Sequence, residues 1–149
     1  MSDTLEFKID KFTFKVAPDR FYNEEGVWAK LEGNHVRVGI SDYLQQRSGD
    51  VAFAEVRPSG TRVSFGEEVA LIETIKVNIS LSSPVTGLVI EVNPAIVTTP
   101  EAINQDPYGA GWLAVLETIE GDIHLERLLD PLAYFTRIKL EAEQEAKKE

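Results

Sequence analysis

Residues 68–87 read Glu68-Val69-Ala70-Leu71-Ile72-Glu73-Thr74-Ile75-Lys76-Val77-Asn78-Ile79-Ser80-Leu81-Ser82-Ser83-Pro84-Val85-Thr86-Gly87. The apolar segments Val69 to Thr74 and Ser80 to Leu81 flank Ile75-Lys76-Val77-Asn78, so two strands are expected to meet at a turn that carries a lysine. Just outside them, Val63 to Phe65 is expected to pair with Val69 to Thr74, and Ser80 to Leu81 with Leu88 to Val92. That pairing would give two similar halves on either side of the turn. Gly66 and Gly87 are read as turn glycines whose backbone angles would cost other residues energy. Lysines fall at positions 8, 11, 15, 30, 76, 139, 147 and 148, which leaves Lys76 alone in the central region. With apolar Ile72, Ile75 and Val77 around it, a turn-tip Lys76 presents one amine to a modifying enzyme without competitors, as a prosthetic-group attachment point requires. An exposed turn lysine of no consequence satisfies the same pattern.

Working outward, Leu5, Phe7 and Ile9, then Phe12, Phe14 and Val16, alternate with polar residues at the period of half-buried strands. Val27 to Leu31, His35 to Ile40 and Val51 to Val56 are short and apolar or β-branched, and turn residues bound each one. Many short strands at this spacing describe a sheet sandwich or barrel. Ser41 is a capping residue and Gly49 follows at helical length, which predicts a short helix over 42–47. Asn93-Pro94, Thr99-Pro100 and Asp106-Pro107 break the next stretch into loop and short helix, and Trp112 to Glu117 returns to a strand pattern. Asp130-Pro131 opens a C-terminal helix whose inward face is expected to carry Leu132, Phe135 and Ile138. No linker divides the chain. The expectation is one domain over 1–149, with a core of about 20–120, an N-terminal strand extension over 1–19 and a C-terminal helical segment over 123–149.

The chain has 149 residues, 43% of them hydrophobic and 27% charged, enough for a core without disulfides. It contains no cysteine, which excludes disulfide scaffolds, thiol nucleophiles and cysteine-ligated metals. A formal charge of −10 repels phosphates and anionic lipid, so neither nucleic acid nor membrane is an expected partner. The N-terminus lacks a basic stretch followed by an apolar run, and the expected location is the cytoplasm.

Glu73-Thr74-Ile75-Lys76 followed by Ser83-Pro84-Val85-Thr86-Gly87 resembles the attachment hairpin of lipoyl carriers, above all the glycine cleavage system H-protein-like family. Val38-Gly39-Ile40-Ser41-Asp42-Tyr43, Gly49-Asp50-Val51, Val92-Asn93 and Asn104-Gln105-Asp106-Pro107-Tyr108-Gly109-Ala110-Gly111-Trp112-Leu113 carry the resemblance from about Trp28 to Leu116. It implies a mainly β, lipoyl/biotinyl-type barrel-sandwich hybrid with short peripheral helices and a C-terminal helix. It also implies lipoate in amide linkage to Lys76, with Glu73, Thr74, Ile75 and Val77 as the neighbours that a modifying enzyme reads. Such a protein is a monomeric carrier without catalytic residues of its own, because the cofactor supplies the reactivity. Its implied partners are a lipoate ligase or lipoyl transferase, dihydrolipoamide dehydrogenase, glycine decarboxylase and aminomethyltransferase.

The resemblance has gaps. Gly26-Val27-Trp28 stands where the family has His-Glu-Trp, and Val77-Asn78-Ile79 where it has small residues. Similar lipoate-binding proteins serve a heterodisulfide-reductase-like sulfur-oxidising complex, which is therefore a second destination for the arm. Gly26, Val27, Val77 and Ile79 are expected to make the surface beside the lysine less polar than the family's, and so to support glycine decarboxylation poorly. A biotin carrier shares the hairpin but resembles Met-Lys-Met at the lysine, and an unmodified acidic β-sandwich would leave Lys76 unused. Gly109-Ala110-Gly111-Trp112-Leu113-Ala114 matches a dinucleotide fingerprint by chance, since a proline loop precedes it. His35 and His124 are too separated for a metal site.

Overall fold

The computed structural model describes residues 4–118 and 124–147. Lys148 and the predicted start of the C-terminal segment at 123 lie outside the described residues. In chain order the strands and helices are β1 (Leu5–Ile9), β2 (Phe12–Val16), β3 (Phe21–Tyr22), β4 (Val27–Glu32), β5 (His35–Ile40), α1 (Asp42–Ser48), β6 (Val51–Val56), β7 (Arg62–Val63), β8 (Glu68–Thr74), β9 (Asn78–Ser82), β10 (Gly87–Val92), α2 (Ala95–Thr98), α3 (Ala102–Gln105), β11 (Ala114–Glu117) and α4 (Pro131–Lys147). They form a two-stranded hairpin β1-β2, a six-stranded sheet β3-β4-β5-β11-β10-β7 and a three-stranded sheet β6-β8-β9. The pairings within these sheets are antiparallel. The larger sheets face each other as a barrel-sandwich hybrid.

The strand partners differ from those expected. β8 pairs with β6 and β9, and β7 pairs with β10, because the chain changes sheet at Ser64–Glu67 and again at Ser83–Thr86. The two crossings hold each other. Gly66 N donates to Ser83 O at 2.9 Å, Ser83 N to Glu67 O at 2.7 Å and Phe65 N to Thr86 Oγ1 at 2.9 Å. Gly66 has the positive φ read for it, +88°. Gly87 does not: it is required because a Cβ there would meet the backbone oxygen of Glu117 at 2.8 Å.

Alternation along the strands builds the sandwich core. On β5, Val36, Val38 and Ile40 are buried, and β8 contributes Val69, Ala70 and Ile72 and β9 Leu81. Burying each such aliphatic side chain is worth about 1.5–3 kcal/mol, which drives closure of the two sheets. On β4, Val27 and Ala29 enter this core while Trp28 points to the opposite face. There it lies across Gly39, its register partner, where a Cβ would collide with the indole.

Trp28 opens a second cluster with Phe7, Phe14, Tyr22, Tyr43, Tyr134 and Ile138, formed by the N-terminal hairpin, α1 and α4. Arg20 is buried here, its guanidinium over the rings of Trp28 (4.5 Å) and Tyr108 (5.2 Å) and ion-paired to Asp19 at 2.8 Å. Stacking on two rings compensates a desolvated cation. Helix α1 has the predicted ends: Ser41 Oγ accepts from Leu44 N, and Gly49 terminates it with φ +89°. Asp130 starts α4, accepting from Ala133 N at 2.8 Å. The inward face of α4 is Tyr134, Ile138 and Ala142, with Phe135 at its edge against Phe7, while Leu132 is 64% exposed. This face is rotated from the expected one, because the amphipathic Tyr134 serves as core and Leu132 does not. Among the described residues, no helix is long and apolar enough to cross a membrane.

Candidate functional site

Lys76 sits at the exposed tip of the β8–β9 hairpin, between Ile75 (78% exposed) and Val77 (47% exposed). Leaving these two large apolar side chains in water is costly unless something covers them part of the time. Thr74 holds the turn. Its backbone N–H donates to Val77 O at 2.8 Å, and its Oγ1 accepts from the backbone N–H groups of both Lys76 (3.1 Å) and Val77 (3.0 Å). These three backbone donors are satisfied without the lysine side chain, which leaves the amine outside the bonds that hold the turn. The residues present fit an amide-linked arm. The stem of Lys76 passes over Gly49, its Cδ and Cε each 3.5 Å from where a Cβ at that position would lie.

Of the predicted neighbours, Ile75 and Val77 flank the tip, Thr74 shapes it, and Glu73 lies half-buried one residue further back, opposite Asn78 and Phe53. Glu67 and Glu68 belong elsewhere. Glu67 caps Ser64 N, and Glu68, at the far end of the hairpin, binds Ser80 Oγ at 2.6 Å and Arg57 at 3.4 Å. The Gly109–Trp112 stretch is a turn after α3, closed by Gly111 N donating to Asp106 O, and no strand leads into it. Glu117 sits 3.8 Å from His35, and Glu126 3.2 Å from His124. No group of three or more metal-ligating side chains exists among the described residues.

The residues that pattern reading misses are Asn23 and Glu25. Asn23 Oδ1 accepts from the backbone N–H groups of Glu25, Gly26 and Val27, and its amide donates to Ser82 O at 3.0 Å. Glu25 takes Ser82 N at 3.0 Å and Ser82 Oγ at 2.7 Å, one on each oxygen. Together they clamp the 23–26 turn onto β9. Their only signal along the chain is a pair of turn-type residues before β4, and nothing in the sequence names Ser82, 57 positions away, as the partner.

Beside this clamp runs a crevice of about 390 Å3 whose polar lining is Glu24, Glu25, Arg47, Ser80 and Glu141. The expectation of a less polar lining fails at two of its four residues. Val27 is fully buried in the sandwich core, and Gly26 (φ +101°) is covered by α4, so that a Cβ there would lie 2.8 Å from Tyr134 Oη. Ile79 does line the crevice and Val77 is exposed at the tip, but carboxylates surround the opening. Burial pushes the Tyr43 phenol up in pKa; Arg47, 2.8 Å away, opposes this, and Glu141 and Glu145 reinforce it.

A barrel-sandwich hybrid with a lysine at the tip of a clamped two-strand turn defines a class of proteins that present one side chain on a rigid platform. Residues 20–141 match the family described as glycine cleavage H-protein. The glycine cleavage system H protein of Thermus thermophilus is 43% identical over 128 residues, covering 85% of this chain and 98% of that protein. That of Carboxydothermus hydrogenoformans is 36% identical, covering 86% and 98%. The crystal structure of a glycine cleavage system H protein from Mycobacterium marinum superposes with a TM-score of 0.75 at 32% identity, covering 82% of this chain and 98% of that one. The chain belongs to the glycine cleavage H-protein family.

Proposed function

We propose that this protein is the lipoyl carrier of a glycine cleavage system, with lipoate in amide linkage to Lys76. The observation that carries the reading is the Thr74-braced tip, which exposes one amine on a clamped hairpin while the fold stays indifferent to its acylation. When bound, the lipoyl group supplies a dithiolane that takes up and releases a substrate-derived fragment. The chain supplies the rest. Ile75 and Val77 offer apolar contact to enzymes that dock at the tip, and the net negative surface favours basic docking faces. Glu24, Glu25 and Glu141 supply carboxylates for positively charged cargo in the crevice, with Ile79 and Leu44 as apolar lining. The protein performs no catalysis itself. Its partners are a lipoate ligase or lipoyl transferase, glycine decarboxylase, aminomethyltransferase and dihydrolipoamide dehydrogenase. The relatives described above are glycine cleavage proteins, and no observation favours the sulfur-oxidising destination, a biotin carrier or an unmodified scaffold.

The test begins with lipoate ligase, ATP and lipoate, read by intact mass. The unaltered chain is expected to gain one lipoyl group and Lys76→Arg none, because arginine keeps the charge but has no acylable amine. Glycine–bicarbonate exchange with the reconstituted partner enzymes then reads the pathway, beside a known H protein. Mass gain in Lys76→Arg would overturn the attachment site; a fully lipoylated chain that supports no exchange would overturn the pathway.

A further inference from the structure

A second groove adjoins the crevice described above, the two sharing Tyr43 and Arg47 of α1 as a common wall. It has a volume of about 490 Å3 and is walled by the β1–β2 hairpin, by α1 and by the last turns of α4, with Lys76 itself on its rim. Three rings contribute to the lining: Phe14 and Tyr43 are buried, and Phe12, 48% exposed, stands at the edge beside Phe14. Ile9, Ala142 and Ala146 add aliphatic surface, and Asp10, Gln46, Arg47 and Glu145 supply a polar border. Most of the lining, including Phe12, Phe14, Ala142, Glu145 and Ala146, lies outside the 20–141 stretch matched by the family. The groove is thus built largely from residues outside the stretch that defines the family match.

We propose that this groove is a resting site for the arm carried by Lys76, an inference that rests on the lipoylation of that residue. The stem of Lys76 already lies over Gly49 at the end of α1, the helix that contributes Tyr43, Gln46 and Arg47 to the groove. The occupant is thus tethered at the rim and reaches the floor at a high effective concentration. The chemistry agrees. The arm is a saturated chain ending in a disulfide ring, and the aliphatic and aromatic part of the lining suits both parts, since divalent sulfur packs favourably against ring edges. The volume falls in the range of small-molecule sites. Arm occupancy would also cover the exposed face of Phe12, which stacks on Phe14 at the groove edge. The crevice bearing Glu24 and Glu25 then serves charged cargo, while the aromatic groove holds the arm when it carries none.

The experiment uses the full chain lipoylated by ligase with 13C-labelled lipoate, with Phe12→Ser and Ala146→Trp as variants; both positions are exposed, so neither change touches the core. Intact mass is recorded first. In the oxidised unaltered protein, cross-peaks are expected from the dithiolane protons to the Phe12 and Tyr43 rings, and both variants lose them. After reduction, iodoacetamide alkylates the arm of the unaltered protein severalfold more slowly than that of either variant. Equal alkylation rates without those cross-peaks would overturn the proposal. Cross-peaks to Ile79 and Ser80 instead would place the resting arm in the other crevice and also overturn it. Protection that grows with protein concentration would put a second copy in the groove, which likewise overturns the proposal. A chain that gains no lipoyl mass overturns the attachment itself, and the mass spectrum separates that failure from a failure of the groove.

Discussion

The two apolar clusters of the molecule are made from different amino acids. The sandwich core is aliphatic: Val, Ile, Leu and Ala from β4, β5, β6, β8, β9 and β11, without a tyrosine or tryptophan among its buried members. The outer cluster is aromatic, and its rings carry polar handles that reach named acceptors. Trp28 Nε1 donates to Ile40 O (2.9 Å) and Pro107 O (3.1 Å), Tyr22 Oη to Ala17 O (2.7 Å), and Tyr134 Oη shares a 2.6 Å bond with Ser41 Oγ. Aliphatic packing is non-directional and only needs volume and pattern, which suits a platform made by closing two sheets. Directional bonds at the ends of large rings select one pose, which suits fastening separate pieces of chain onto that platform. The hairpin with Lys76 is built on the first; the elements that border it are fixed by the second.

The largest expected effect of a single change falls where the two regions meet. Trp28→Ala should cost about 3–5 kcal/mol by opening a cavity across Gly39 and leaving two carbonyl groups without their donor. Measured by urea, the near-UV aromatic signal should melt before the far-UV β signal, since the sandwich retains its own core. Coincident transitions would mean that the two clusters are one cooperative unit.

Alkaline pH should separate the clusters without mutation. Burial pushes the Tyr108 phenol up to about 12, and burial also raises Tyr22 and Tyr134. A folded pKa above the unfolded value of about 10 means stability that is complete below pH 10 and is lost as pH rises through about 12. Urea midpoints should therefore hold steady to about pH 9–10 and then fall, with Tyr108 accounting for roughly 2–3 kcal/mol. Tyr108→Phe should flatten part of that fall. A profile identical to the unaltered protein's would remove the phenol from the account.

Gly87→Val tests the sandwich alone. The new side chain would be driven against the Glu117 backbone on the neighbouring strand β11, costing about 1–3 kcal/mol and slowing ligase modification of Lys76. Unchanged melting with full modification would show that the β10–β11 pair can yield. The smallest change is Tyr134→Phe, which removes one buried bond and should cost about 1 kcal/mol. Combined with Ser41→Ala, the losses should be less than additive, because both delete the same contact; strict additivity would break the pairing.

Much of this is legible in the sequence where the determinant is local. The caps Ser41 and Gly49, the period-two strands and the isolated Lys76 are properties of neighbours along the chain. The strand partners are not, because alternation shows which face is buried and not which strand lies beside it; the crossings at Ser64–Glu67 and Ser83–Thr86 decide that through bonds between them. The α4 face is hidden for a related reason. Tyr134 looks half-polar in a hydrophobic pattern, yet its hydroxyl has a partner 93 positions away. Asn23 and Glu25 escape notice for the same reason, since their value lies in reaching Ser82. The groove beside Lys76 depends on three segments from separate parts of the chain, and no pattern along any one of them encodes it.

Lys76 is the one lysine between Lys30 and Lys139, and its amine is a cation at the rim of a groove that also holds Asp10, Arg47 and Glu145. Acylation turns that cation into a neutral amide, so the modified chain carries one more net negative charge than the −10 of the bare sequence. The difference sits at the exposed tip of the hairpin. On the proposed function, a ligase meets the tip with its lysine charge and every later partner meets it without. The two forms should separate on an anion-exchange column, the modified form eluting later, and the same charge change gives enzymes that use only the loaded protein a means to ignore the bare one.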